Sequence, residues 1–234
     1  MTMTQTPILF VPGLLCTAEC FTAQAEALWP CGPVTIASTL NGASMAEIAA
    51  SILADAPPRF VLCGISMGGY LSFEILRQAP ERVVKLALLD TSARPDTPQD
   101  TAQRHALVAQ ARSGDFQALL NVVMPLLLHP DHQDDARINA ISVRMGLTVG
   151  IEGFARQQAA IIARPDSRPG LAAISVPTLV LVGDRDPLTP PDRAREMADA
   201  IPGARLVVVP DCGHASTLEQ PDAVSRALLD WIGE

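Results

Sequence analysis

The stretch Phe60-Val61-Leu62-Cys63-Gly64-Ile65-Ser66-Met67-Gly68-Gly69-Tyr70 constrains the fold more than any other part of the chain. It begins as a short unbroken apolar run and continues with apolar residues at helical spacing, Tyr70, Leu71, Phe73, Ile75 and Leu76. That pattern predicts a buried strand, a sharp turn and a buried helix. The turn is Gly-x-Ser-x-Gly, from Gly64 to Gly68. A serine on such a corner has its hydroxyl pushed out of the sheet, and the tightness leaves no room for side chains two residues either side. The same geometry puts the backbone N–H of Met67 at a helix N-terminus, aimed at negative charge developing on a substrate oxygen. Ser66 is therefore the candidate nucleophile.

Around this stretch strands and helices alternate. Apolar runs at 7–11, 34–37, 60–65, 83–89, 176–182 and 206–209 read as strands. Helical segments at 18–29, 44–55, 66–79, 190–201 and 221–231 lie between or after them. Ser44-Met45-Ala46-Glu47 has capping-box spacing, and Thr189-Pro190 reads as an N-cap with the first helical residue. Alternation of this kind predicts an α/β fold, with a mostly parallel sheet of about six strands and helices on both faces. From about 93 to 172 the strand signal disappears, and 99–112, 116–124, 134–148 and 151–164 read as helices punctuated by Gly114, Pro125, Pro130, Gly150 and Pro165. We read residues 1–234 as one domain, a core of 1–92 and 173–234 with a helical cap inserted at about 93–172. Its apolar residues, among them Met124, Leu126, Leu127, Leu128, Met145, Leu147, Ile151 and Phe154, divide between packing on the core and lining a pocket above Ser66.

These motifs resemble those of the α/β-hydrolase family: residues 10–15, 64–69, 183–190 and 213–214 fall in its order, and Gly-x-Ser-Met-Gly-Gly is similar to the elbow of small bacterial esterases and enol-lactonases. The resemblance implies an oxyanion hole whose second N–H comes from the loop after the first strand, here Leu14, beside that of Met67; Pro12 stands where the family usually has His. It also implies an acid and a histidine. The pattern Gly-x-x-Asp-x-x-x-Pro maps onto Gly183, Asp186 and Pro190, in a loop leaving the carboxyl end of a strand, where open α/β sheets hold ligands. Asp186 is the candidate acid, with Asp184 and Asp90 as competitors. His214, after Gly213 at the end of the last strand, completes the order Ser, acid, His.

Serine needs a neighbouring base to remove its proton as it attacks, which His214 supplies while Asp186 fixes its tautomer. The first reading is a serine hydrolase of small to medium, largely apolar carboxylic esters or lactones, needing no cofactor and no metal. Ser at the elbow disfavours the alkyl-enzyme chemistry that an Asp there would support. Alternatives on the same fold are cofactor-free perhydrolysis, C–C bond hydrolysis and acyl transfer; a ligand sensor is the alternative of a different class.

Composition narrows the partners. A chain of 234 residues, 48% hydrophobic and 18% charged, can bury a sizeable core. Its net charge of −8, with Lys85 the single lysine, argues against a nucleic-acid or anionic-membrane surface. The start shows no export signal, and no apolar run approaches membrane-spanning length, so a cytoplasmic protein acting on a small-molecule ester is expected, its oligomeric state undetermined. Five cysteines without CxxC spacing favour free thiols, some of them (Cys16, Cys20, Cys212) near the site. His129 and His132, with acidic neighbours, match no metal-ligand geometry we can defend. Arg144 and Arg156 read as solvated helix faces before they read as carboxylate-binding groups.

Overall fold

The computed structural model describes residues 6–234. Six strands, β1 (Ile8–Val11), β2 (Val34–Ile36), β3 (Phe60–Ile65), β4 (Val83–Leu89), β5 (Thr178–Gly183) and β6 (Arg205–Val209), form one sheet in the order β2-β1-β3-β4-β5-β6, every described pairing parallel. The order reverses direction at β1 and β3. Such a switch point opens a crevice at the carboxyl ends of the two strands, the position at which open α/β sheets hold ligands.

Strand periodicity decides which helices cover which face. Leu9, Val11, Phe60, Leu62, Leu86, Leu88, Val180 and Val182 point to one side, where α2 (Met45–Asp55), α3 (Met67–Gln78) and α7 (Pro191–Ala200) cover them. Their neighbours Ile8, Phe10, Val61, Cys63, Ala87, Leu89, Leu179 and Leu181 point to the other, against α1 (Thr22–Leu28) and α9 (Pro221–Gly233), with Trp231 filling the largest space. Burial on both faces explains why β3 and β5 read as continuous apolar runs.

The expected capping box at Ser44 is displaced by one residue: Ser44 Oγ accepts from Glu47 N at 3.2 Å, but the Glu47 carboxylate reaches Ala43 N at 2.7 Å. The expected Thr189 cap is also corrected. Pro190 is the N-cap of α7 and Pro191 its first residue, so the Thr189 hydroxyl is free to turn towards Asp186, as described below.

Between β4 and β5 the chain forms α4 (Pro98–Ser113), α5 (Phe116–Val123) and α6 (Ala136–Ile162). The span α6 consists of two helices, as expected at 134–148 and 151–164, meeting at Gly150, whose φ of 72° and ψ of 168° are non-helical and cost glycine little. The bend lets α6 serve both faces: Ile138 and Met145 join the α1/α9 side, Ala160 and Ile161 the α2/α3 side. Between them Val149 and Phe154 pack with α5 residues Phe116, Leu119 and Leu120 and with Leu15 from the loop after β1. Asp96, buried between Arg104 and Arg164, ties α4 to the end of α6, and Arg164 stacks 4.2 Å over the Tyr70 ring of α3. Among the described residues no helix is long and apolar enough to cross a membrane.

Candidate active site

Ser66 sits between β3 and α3 with φ 53° and ψ −116°, a conformation that costs a non-glycine residue about 1–3 kcal/mol. Neighbours hold it there. Ser66 N donates to Leu89 O of β4 at 2.9 Å, and its carbonyl accepts from Gly69 N at 2.9 Å and Thr91 Oγ1 at 2.8 Å. The flanking glycines are required by backbone approach. A Cβ on Gly64 would stand 2.3 Å from Gly68 O, one on Gly68 would stand 2.0 Å from Val11 O, and one on Gly69 would meet the Thr91 side chain at 2.3 Å. Ser66 is thus pressed into the switch-point crevice, and Gly13 of the loop after β1 packs against it, an added Cβ falling 3.3 Å from Ser66 Cβ.

His214 comes from the loop after β6. Its Nε2 lies 2.9 Å from Ser66 Oγ, and its Nδ1 lies 2.8 Å from Asp186 Oδ2. An ionised carboxylate only accepts, so Nδ1 carries the proton and, in the neutral ring, Nε2 faces the serine as acceptor. Asp186 is fixed in turn by Leu188 N, Thr189 N and Thr189 Oγ1, each at 2.8 Å. The structure therefore brings Ser66, Asp186 and His214 into one hydrogen-bonded line. Asp184 stands outside it, accepting from Cys212 N at 3.0 Å and bracing the histidine loop. Asp90 lies behind the line, with φ 43° and its two oxygens accepting from Gly183 N at 3.1 Å and Ser216 N at 3.2 Å. Met67 follows Ser66 as the first residue of α3, Leu14 follows Gly13, which packs against Ser66, and among the described residues neither backbone N–H donates to a protein acceptor.

Burial and charge oppose each other here. Burial alone would lower His214, but the Asp186 charge and hydrogen bond, with Asp90 and Cys16 behind them, lift it to about 9. Burial would likewise raise Asp186, yet the His214 charge and the bonds from His214 and Thr189 hold its carboxyl below the ordinary value. Asp90 is pushed up to about 8 by burial and then by the Asp186 charge, against the opposing pull of His214 and the two N–H donors.

The line opens on a mainly apolar cavity of about 60 Å³, lined by Ser66, His214, Cys16, Met124, Leu127 and Met145 among others. Of the apolar residues singled out between 93 and 172, Met124, Leu127, Leu128 and Met145 line it, whereas Leu126 and Leu147 are exposed. Cys16 and Cys20 also line it; hydrogen bonding with the Cys20 thiol and then the His214 charge outweigh burial and hold the Cys16 thiol below its ordinary value. Cys212 and Cys63 are buried, with thiols pushed up by desolvation. Arg144 pairs with Glu19 on the surface, away from Ser66.

Sequence reasoning missed three residues. The Glu219 side chain is fully buried and accepts from Gly213 N and Ala215 N at 3.1 Å and from His129 N at 2.8 Å, with His132 Nδ1 at 3.0 Å. It belongs to the short helix α8 (Ser216–Glu219), which the sequence reading left inside the loop. His129 and His132 thus serve the histidine loop through Glu219, and among the described residues no group of three or more His, Cys, Asp or Glu is arranged to hold a metal. Gly213 is also explained by approach: a Cβ there would stand 2.4 Å from His129 N. Thr189 is the second missed residue, and Gln157 the third, its Oε1 accepting from Leu15 N at 3.1 Å. Gln157 had a signal, a polar residue on the apolar stripe of Phe154 and Ile161 at helical spacing. Glu219 had none: two of its partners, Gly213 N and Ala215 N, are close in sequence but match no capping pattern, and the other two, His129 N and His132, lie 90 and 87 residues away.

A family model described as alpha/beta hydrolase fold matches residues 41–221. A pimeloyl-[acyl-carrier protein] methyl ester esterase of Nitrosomonas europaea is 33% identical over 187 residues, 76% of this chain and 72% of that protein. Among solved structures, a thermophilic esterase from Thermogutta terrifontis superposes with a TM-score of 0.87 at 32% identity, covering 99% of this chain and 90% of that one. The enol-lactonase of Burkholderia xenovorans LB400 gives 0.89 at 27%, covering 99% and 93%.

Proposed function

The chain belongs to the α/β-hydrolase fold family, and from that premise we propose that it is a serine hydrolase of small, largely apolar carboxylic esters or lactones, working through an acyl-enzyme on Ser66. The reading rests above all on the line from Ser66 Oγ through His214 to Asp186, at 2.9 and 2.8 Å, opening on a mainly apolar cavity. Its similarity to proteins named as esterases and an enol-lactonase points the same way.

In this mechanism neutral His214 takes the Ser66 proton as Oγ attacks the ester carbon, and Asp186 stabilises the imidazolium that results. The Leu14 and Met67 N–H groups receive the oxyanion, each worth about 3 kcal/mol in the transition state. Collapse of the tetrahedral intermediate expels the alkoxide, which takes the proton from His214 Nε2. Water then enters, gives a proton to His214 and attacks the acyl carbon; the second intermediate collapses to the carboxylic acid, and Ser66 recovers its proton. The 93–172 helices act as a cap that shapes the acyl pocket, with Met124, Leu127, Leu128 and Met145 in its wall. A mainly apolar cavity of about 60 Å³ favours short acyl groups.

The test is p-nitrophenol release from esters of increasing acyl length, followed from the first turnover beside Ser66→Ala. A burst near one equivalent per chain, absent from the variant, is the expected result. Release no greater than that of Ser66→Ala on every ester would remove the ester-hydrolase reading and turn attention to peracid formation, C–C substrates and ligand retention.

A further inference from the structure

We infer that Gln157, on the second half of α6, is a positioning residue for the oxyanion loop, a role that rests on the serine-hydrolase reading above. The loop after β1 makes a turn from Gly13 to Cys16, closed by Cys16 N donating to Gly13 O at 3.2 Å. Its third residue is Leu15, with φ 62°. A positive φ at that position is the type II form, which normally carries glycine; a leucine prefers the negative φ of type I, reached by flipping the central peptide. Something outside the turn must therefore decide which way the Leu14–Leu15 peptide faces.

Leu15 packs its side chain among Phe116, Leu119, Leu120 and Phe154, but that contact leaves the direction of the peptide open. The direction is set by the Leu15 N–H, which donates to Gln157 Oε1 at 3.1 Å. Gln157 is 1% exposed and is itself held by Nε2 donating to Thr39 Oγ1 at 2.9 Å, Thr39 being 4% exposed. Because a backbone N–H can only donate, the amide orientation is fixed: oxygen to Leu15, nitrogen to Thr39. Loss of the acceptor releases Leu15 towards negative φ, flips the central peptide and tilts the adjoining peptide that carries the Leu14 N–H. Gly13 packs against Ser66, so the tilt is felt where the oxyanion forms. A segment inserted between β4 and β5 thus governs a donor that lies after β1.

The expected consequence falls on the charged intermediate and spares ground-state binding. Gln157→Leu removes the acceptor at nearly constant size; Gln157→Glu keeps an acceptor for Leu15 N–H and can accept from the Thr39 hydroxyl. The experiment measures kcat and KM on the best p-nitrophenyl ester and the Ki of an alkylboronic acid, which forms a tetrahedral adduct with serine, with melting curves to verify folding. Gln157→Leu should lower kcat about 10- to 100-fold and weaken the boronate by a similar factor, with KM within about two-fold, while Gln157→Glu recovers most of the loss. A folded Gln157→Leu with wild-type kcat, or with boronate affinity unchanged, overturns the inference. So does loss in both variants alike, which marks a merely structural role. Wild-type turnover abolished by Ser66→Ala shows that the hydrolase reading stands whatever Gln157 does, whereas its absence overturns both.

Discussion

Both oxygens of the Glu219 carboxylate lie 3.1 Å from the backbone N–H of Gly213, the residue before His214. The same carboxylate holds Ala215 N on the far side, so the histidine is suspended between two donors to one buried acid. His129 N and His132 draw the 127–132 segment onto that acid, and Leu127 O accepts from His214 N at 2.8 Å. The imidazole is therefore aimed by residues that touch neither Ser66 nor Asp186.

Glu219→Gln puts an NH2 group where N–H donors converge. Loss of a buried charged acceptor should destabilise the fold by about 2–3 kcal/mol, and a misplaced imidazole should lower kcat about 10- to 100-fold with KM little changed. Thermal melts and steady-state kinetics read the two effects separately. A folded variant with unaltered kcat would mean that the loop keeps His214 in place without the acid.

Asp186 and Asp184 offer a clean contrast. Asp186→Asn places an amide against His214 Nδ1 and favours the wrong tautomer, so kcat should fall on the order of 10³-fold or more. Asp184→Asn retains an oxygen for Cys212 N and should stay within about ten-fold of wild type. The reverse ranking in the same assay would move the acid to Asp184.

Elevation of His214 to about 9 has opposite consequences for activity and stability. Only the neutral ring can take the Ser66 proton, so kcat/KM should rise with pH, reach half its limit near pH 9 and level off above it. Asp186→Asn removes the charge that lifts the ring and should shift this limb to lower pH. For stability, the folded value exceeds the ordinary imidazole value of 6.5, so the contribution of charged His214 is complete below that pH and is lost as pH rises through about 9. Melting temperature should therefore decline across this window, and less so in His214→Asn. A kcat/KM profile already flat by pH 7 would contradict the elevation.

How much of this was legible in the sequence follows from the range of each interaction. The sheet was, because alternating burial on both faces writes Val180 and Leu181 alike as apolar, and strand ends were marked by Gly64, Gly183 and Gly213. Ser66, Asp186 and His214, which the structure hydrogen-bonds into one line, follow β3, β5 and β6 within a few residues, so local motifs pointed to each. Thr189 was misread because a Thr before Pro satisfies a capping pattern locally, while the carboxylate it serves is fixed only once the loop closes. Helical spacing marks Gln157 as a polar residue on an apolar stripe but not its partner Leu15 N, 142 residues distant, and Glu219 reaches His129 N 90 residues away, a pairing that no local pattern encodes.

Met145 offers the direct test of pocket size. It is 1% exposed and lines, from α6, the cavity beside Ser66, so it bounds the proposed acyl pocket. Met145→Ala should cost about 2–5 kcal/mol of stability and, in exchange, lengthen the preferred acyl chain by about two to three carbons, the atoms removed from the wall. Met145→Leu conserves volume and should leave the optimum where it is. Activity profiles over the p-nitrophenyl ester series separate the two. If Met145→Ala folds and keeps the wild-type optimum, the cavity is not the acyl site, and the chain must lie along another path from Ser66.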